Sequence, residues 1–309
     1  MRIILGILLF YGRFGPSFTS LGYLSRKLFW GNGQHSLHNQ HVLITGASGG
    51  IGAAVVSGCL KAGADVTAVA RSADKLAAMN AAMPDTANTI VADLAELDDI
   101  KQIVSALKAR GTKIDILVNN VGVMLHKFAQ NSDAIDSQFA TNLLNQYALT
   151  EALVAEDLLA DNAAVITVAS GGMYMAPLVI AGLNADEDSS HDGTRAYAIQ
   201  KRAQVALTQH WQATYGDRAS FYVMHPGWVD TAGVRESLPT FRKLLAPILR
   251  NAEQGADTIV WLAKTRPSQN GAPGIWFDRK SRKVHAYGFT RERSAEVSDL
   301  LTHLRRYLP

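Results

Sequence analysis

Cysteine is nearly absent from this sequence: Cys59 is the single one among 309 residues. A lone cysteine excludes an internal disulfide framework and suits a reducing compartment, so a cytoplasmic location is expected. Set in an apolar helical stretch, Cys59 reads as a small buried hydrophobe. Long hydrophobic runs are also missing. The apolar stretch from Ile3 to Tyr11 in "MRIILGILLFYGRFGP" is far short of the roughly 20 residues that cross a bilayer. It follows Arg2 as in a signal peptide, but no A-x-A-like site follows it. Residues 1–30 therefore read as an amphipathic or core-docking helix, with weak attachment to a membrane surface as the alternative. Aromatic residues do not interleave with the basic cluster "DRKSRK" (278–283), which lacks a stacking platform for bases and reads as a solvated loop. No nucleic-acid partner is expected. His35, His38 and His41 recur at three-residue spacing in "HSLHNQH", but no Cys, Asp or Glu joins them, and no metal is expected.

What remains is globular material, 48% hydrophobic and 18% charged with a net charge of +3, enough for a large α/β domain. From residue 41 short apolar runs of strand length alternate with Ala-rich or amphipathic helical segments. The runs are "HVLIT" (41–45), "DVTAVA" (65–70), "NTIVA" (88–92), "IDILVN" (114–119), "AAVITVA" (163–169) and "SFYVM" (220–224). A seventh strand is expected at "GIWF" (274–277) and a helix near 291–306. Alternation of this kind indicates a parallel sheet buried on both faces. No internal repeat or low-complexity linker interrupts it. The reading is one doubly wound α/β domain of the Rossmann type over residues 40–309, behind an N-terminal extension of residues 1–39.

The first strand runs into "TGASGGIG" (45–52), which places glycines at 46, 50 and 52. Glycines there permit a tight turn and close backbone approach, so that a diphosphate can sit at a helix N-terminus. At the end of the second strand, an acidic residue would hydrogen-bond a ribose 2′-hydroxyl and repel a 2′-phosphate. This chain has Ala70 and then Arg71. A guanidinium at that place pairs with a phosphate and stacks beside adenine, which favours NADP(H) over NAD(H). In "RAYAIQKRA" (195–203), Tyr197 and Lys201 are four apart and share one helix face. By itself that spacing is common on half-exposed helices.

Together these features resemble the short-chain dehydrogenase/reductase superfamily. "TGASGGIG" is similar to its cofactor loop, "ADL" (92–94) to the segment that meets the adenine, and "NNVG" (119–122) to its N-N-A-G, with Val121 in place of Ala. "YAIQK" matches Y-x-x-x-K and "PGWVDT" (226–231) matches P-G-x-x-x-T. The motifs fall in order over roughly residues 40–280. "SGGMY", "DGTRAYAIQKRAQVALT", "MHPGWVDTAGVR", "QGADTIVWLA" and the N-terminal "FYGRFGPSFTSLGY" resemble one narrower branch, which favours a folded extension over a cleaved signal. The resemblance implies an oxidoreductase that interconverts a carbonyl and an alcohol, with a cofactor site of Gly46, Ser48, Gly50, Ile51, Gly52, Arg71, Asp93, Leu94, Asn120, Val121, Gly122, Tyr197, Lys201, Pro226, Gly227 and Thr231. It implies a catalytic set of Asn142, Ser170, Tyr197 and Lys201, and a structural place for His225 beside the cofactor loop. Homodimers or homotetramers would suit the fold.

Reduction of a carbonyl leaves an oxyanion that needs a proton. A tyrosine with a free pKa near 10 donates well when its phenolate is stabilised, and an ammonium nearby lowers its pKa. Tyr197 would then be the general acid or base, tuned by Lys201, with Ser170 on the substrate oxygen and Asn142 holding a relay water. Ser170 and Tyr197 are 27 positions apart, so an excursion separates them. Its apolar start, with Met173, Tyr174 and Met175, is expected to wall a pocket for an apolar substrate, and residues 232–249 to cover it as a lid. Two other readings stay open: a cofactor-binding scaffold or sensor without turnover, and a nucleotide-sugar epimerase or dehydratase.

Overall fold

The computed structural model describes residues 12, 14–31, 33, 35–269 and 273–308. Apolar side chains that fill both faces of a sheet produce seven strands, β1 (His41–Thr45), β2 (Asp65–Ala70), β3 (Asn88–Val91), β4 (Ile114–Asn119), β5 (Leu159–Val168), β6 (Ala219–Met224) and β7 (Ile275–Phe277). They run parallel, and β8 (Lys280–Arg282) adds an antiparallel edge to β7. The order is β3-β2-β1-β4-β5-β6-β7-β8. It reverses direction between β1 and β4, which opens a crevice at the carboxyl ends of the strands.

Ten helices carry labels here: α1 (Ser20–Lys27), α2 (Gly50–Leu60), α3 (Ala73–Ala81), α4 (Leu97–Arg110), α5 (Asn145–Ala155), α6 (Gly193–Tyr215), α7 (Ala232–Ser237), α8 (Pro239–Leu245), α9 (Ala252–Thr265) and α10 (Ser294–Arg305). Successive strand residues point to opposite faces. Leu43, Leu117 and Val165 therefore pack with Ile103, Leu149, Leu207 and Leu304 on one side. Val42, Ile44, Ile116 and Ile166 pack with Val55, Val56, Ile259 and Leu262 on the other. Cys59 lies in this second layer, where burial pushes its thiol up to about 12. The fold is the doubly wound Rossmann arrangement expected.

Two expectations need correction. β5 starts at Leu159 rather than 163, because Asn162 takes a left-handed φ of 58° and lets the polar "ADN" lead into the ladder. The cluster at 278–283 is not a solvated loop. Lys280–Arg282 is the edge strand, and Asp278 is buried.

Asp278 is buried because the N-terminal segment packs over it. Arg250 donates to both Asp278 carboxylate oxygens at 2.6 and 2.9 Å, and Arg26 of α1 donates to the same carboxylate at 2.6 Å. Arg250 also donates to the carbonyls of Ser17, Phe18 and Pro226. Burying Arg250 and Asp278 is tolerable only with such pairing, to which the half-buried Arg26 adds. Phe18 is buried in a nest of rings, with His225 at 4.6 Å, Phe277 at 5.3 Å and Trp228 at 5.7 Å between centroids. The described part of residues 1–30 thus docks on the fold through Phe18, Thr19 and Tyr23. The apolar run Ile3–Tyr11 lies outside the described residues. Among the described residues no helix is long and apolar enough to cross a membrane.

Candidate functional site

The crevice at the β1/β4 reversal is a cleft of about 350 Å³, floored by the loops after β1, β4, β5 and β6. Its glycines are there for space. Gly46 holds φ +64°, and a Cβ on Gly52 would collide with the Gly46 carbonyl. Thr45 Oγ1 accepts from the amides of Asn120 (3.0 Å) and Val121 (3.2 Å), while Asn120 Nδ2 donates to the Thr45 carbonyl at 2.9 Å. These bonds tie the loops after β1 and β4 into one wall. α2 follows Gly49, which has no side chain to cap the helix, and Gly49 and its first-turn residues Gly50, Ile51 and Gly52 line the cleft. That is the arrangement an anionic diphosphate satisfies.

Across the cleft, α6 begins after Asp192, whose carboxylate accepts from the Arg195 amide at 3.0 Å. The helix carries Tyr197 and Lys201 to the cleft beside Ser170, which follows the end of β5. Lys201 Nζ stands 5.5 Å from the centre of the Tyr197 ring and donates to the Val168 carbonyl at 2.9 Å. A Cβ on Gly122 would be 3.2 Å from that Nζ, so glycine keeps the ammonium reachable from the cleft. The electrostatics differ from the sequence expectation. Burial raises the Tyr197 phenol above its ordinary value, and the hydrogen bond with Ser170 draws it back down. Burial also lowers the Lys201 ammonium to about 7. In the protein alone, desolvation therefore sets the direction for both groups.

Gly46, Gly50, Ile51, Gly52, Asn120, Val121, Gly122, Ser170, Tyr197, Lys201, Pro226, Gly227 and Thr231 all line this cleft. Thr231 faces Gly50 and also caps α7 by accepting from the Val234 amide at 3.2 Å. Ser48 lies in the turn before α2, and Leu94 is buried after β3. Arg71 and Asp93 stand at the rim, after β2 and β3, with Arg71 Nη1 and Asp93 Oδ2 4.0 Å apart. Asn142 does not line the cleft. It lies in a π-helical turn, Ala140–Leu144, just before α5. Its side chain accepts from the Val123 amide at 2.7 Å and donates to the Val123 carbonyl at 2.8 Å and to Gln200 at 2.7 Å. Its carbonyl accepts from Gln204 at 2.6 Å. The sequence reading missed Gln200 and Gln204. Both are buried amides near Lys201 on α6, and two amide side chains four apart on one helix face were the available signal. His225 is buried, stacked on Phe277 at 4.2 Å, and accepts from the Gly227 amide at 3.3 Å. Burial, with Arg250 next, holds its imidazole well below the ordinary value, so it is a neutral support for the loop.

The excursion after Ser170 is placed differently from the expectation. Met173 and Tyr174 point into a core cluster with Phe18, Val205 and Ile275, away from the cleft. Met175 lines a second hollow of about 430 Å³ between residues 175–179 and the start of α6. Arg202, also buried, fixes this turn by donating to the Met173 carbonyl at 2.6 Å.

Comparison with known proteins agrees with this geometry. Residues 40–240 match the family model described as short chain dehydrogenase. Dehydrogenase/reductase SDR family member 12 from Bos taurus is 36% identical over 253 residues, covering 79% of this chain and 78% of the relative. This is the branch that the longer sequence segments resemble. Retinol dehydrogenase 14 from Mus musculus is 28% identical, with 78% of each chain covered. Among solved structures, a short chain dehydrogenase from Burkholderia cenocepacia in complex with NADP superposes with a TM-score of 0.59. It is 25% identical, with 74% of this chain and 91% of that one covered. A family match over most of the chain, joined to that relationship and to the fold, makes this protein a member of the short-chain dehydrogenase/reductase family of oxidoreductases.

Proposed function

We propose that the protein is an NADP(H)-dependent enzyme that interconverts a carbonyl and an alcohol on an apolar substrate. The observation that carries this reading is the meeting of Ser170, Tyr197 and Lys201 at one wall of a cleft whose other wall is an uncapped helix N-terminus. A nicotinamide cofactor bound there would supply or accept the hydride. Tyr197 then delivers the proton to the substrate oxygen, and takes it back in the alcohol direction. The Ser170 hydroxyl hydrogen-bonds the same oxygen as charge develops. Lys201, held by the Val168 carbonyl, supplies the positive charge that favours phenolate once an anionic ligand restores its proton. Asn142, Gln200 and Gln204 tie α6 to the loop at Val123, and a Cβ on Gly122 would stand 3.4 Å from Asn142 Oδ1 and 3.2 Å from Lys201 Nζ. The exposed Arg71, at 74% side-chain accessibility and following Ala70 rather than a carboxylate at the end of β2, supports 2′-phosphate recognition.

Substrate class is supported by the second hollow. Met175, Ala176, Pro177, Val179, Ala198 and Ile199 line it together with the polar Asp192, Thr194 and Arg195. Its wall residue Ala198 and the cleft residue Ser170 come together at Gly172, where a Cβ would stand 3.7 Å from the Ala198 Cβ and 3.9 Å from Ser170 Oγ. An apolar arm extending from the reacting carbonyl fits that path, in keeping with the substrate named for the retinol dehydrogenase relative.

The test is a panel of apolar and small polar carbonyls assayed with NADPH, using the native chain and Tyr197→Phe. Turnover should fall by roughly 10²–10⁴-fold in the variant, with NADPH affinity unchanged. Stoichiometric NADPH binding with no turnover on any compound would instead favour a scaffold or sensor. Near-native turnover in Tyr197→Phe would overturn the assignment of the acid.

A further inference from the structure

The outer face of α1 is the most apolar exposed surface among the described residues. Leu21 is 65% exposed, Leu24 49%, Leu28 82% and, just after the helix, Phe29 87%. Leu21, Leu24 and Leu28 recur at three- and four-residue spacing, so they form one stripe opposite the docked face of Gly22 and Tyr23. A monomer has no reason to align large side chains outward in this way unless something covers them. α8 is tied to α1 through their flanks: Ser20 Oγ of α1 donates at 3.1 Å to the carbonyl of Ile248, just past α8, and Trp228 bridges the rings of Phe18, just ahead of α1, and Phe241 of α8. α8 adds Leu244, 74% exposed, next to the exposed Lys243.

Charge decides what kind of partner fits. The first acidic residue of the sequence is Asp65; before it stand Arg2, Arg13, Arg26, Lys27 and Lys61. Lys27 is exposed on α1, beside the stripe. The stretch ahead of α1 continues the same composition, with apolar Ile3–Tyr11 flanked by Arg2 and Arg13. Apolar side chains beside the exposed Lys27 and Lys243, with Arg26 already paired to Asp278, match an anionic lipid headgroup layer, where the hydrophobes enter the acyl boundary and the lysines meet phosphate.

We infer that the outer faces of α1 and α8 rest on an anionic membrane surface as a peripheral attachment, with the protein otherwise folded in water. α7 supplies Ala232, Gly233 and Val234 to the cleft lining, and the loop that supplies Pro226 and Gly227 is held to Phe18 through the Trp228 amide at 3.0 Å, so attachment through α1 bears on a loop of the cleft.

The experiment is co-sedimentation of the full chain with sucrose-loaded vesicles of phosphatidylcholine alone or mixed with phosphatidylglycerol. Native protein should bind the mixed vesicles, more weakly in high salt, and bind the neutral ones poorly. The double variant Leu24→Glu/Leu28→Glu should lose at least about tenfold in partitioning, and Lys27→Glu a smaller factor. These positions are exposed, so the variants should keep the native melting temperature, which serves as the folding control. Absence of native binding to both vesicle types overturns the inference. Undiminished binding by the double variant overturns the assignment to α1. Concentration-dependent self-association abolished by the same substitutions, without vesicle binding, would give the face to a second copy of the chain instead.

Discussion

Lys201 concentrates the chemistry of the site into one titration. Its folded pKa of about 7 lies below the ordinary 10.5, because burial disfavours the ammonium. Between these values the unfolded chain holds a proton that the folded chain does not, so folding stability from this group rises with pH across that window. The burial penalty is fullest below about pH 7 and gone above about pH 10.5. Lys201→Met removes the penalty. Its melting temperature relative to the native chain, without cofactor, should therefore be highest near pH 6 and decline steadily toward about pH 10. A difference that stays flat with pH would show that the folded protein keeps this lysine charged. Arg71 gives a second prediction at this scale. Arg71→Ala should weaken NADPH binding by roughly tenfold or more and NADH binding much less, since a charge-assisted pair is lost only with the 2′-phosphate. Equal losses measured by fluorescence titration would reduce Arg71 to a packing or adenine contact.

The elements differ in how openly the sequence declares them. β2 begins and ends where the sequence places it, Asp65 to Ala70, because from Val66 onward the strand is buried and carries mostly apolar residues. β8 was illegible, since "KSR" has the composition of a loop and becomes a strand only because β7 offers an edge. The glycine loop, Ser170, Tyr197 and Lys201 were legible because their order and spacing carry the signal. Arg250, Arg202 and Asp278 were not, because a buried charge is recognised by its partner, and Arg250 lies 232 residues beyond the Phe18 carbonyl it holds. The excursion after Ser170 shows the same limit. An apolar residue in a turn has no periodicity to say which way it faces, and Met173 went inward while Met175 went to the hollow. Met173→Ala should accordingly cost about 2–5 kcal/mol of stability in denaturant melts. It should leave the ranking of substrates by kcat/KM unchanged. Ala198→Phe, at the junction of the two hollows, should selectively lower kcat/KM for carbonyls with long apolar arms. An unchanged ranking in that variant would sever the second hollow from substrate binding.

Across the whole molecule, the N-terminal segment, the loop after β6 and the β7–β8 turn are locked by one buried charge cluster. Asp278→Asn keeps the shape and tolerates the left-handed φ of 49° at that position, but leaves Arg250 and Arg26 without their counter-charge. Breaking a buried pair in this way costs about 3–5 kcal/mol, to be read as a lower melting midpoint in urea. Loss of under about 1 kcal/mol would mean that the carbonyls of Ser17, Phe18 and Pro226 suffice to hold the guanidinium. The same long reach has a consequence for birth of the protein on the ribosome. Phe18 emerges early, yet its clamp at Arg250 is synthesised 232 residues later. At roughly 5–20 residues per second, the apolar N-terminal segment waits about 10–50 s before its own fold can receive it. During that interval it is a nascent hydrophobic tail in search of cover, so chaperone occupancy or early contact with lipid competes directly with the last docking step of folding.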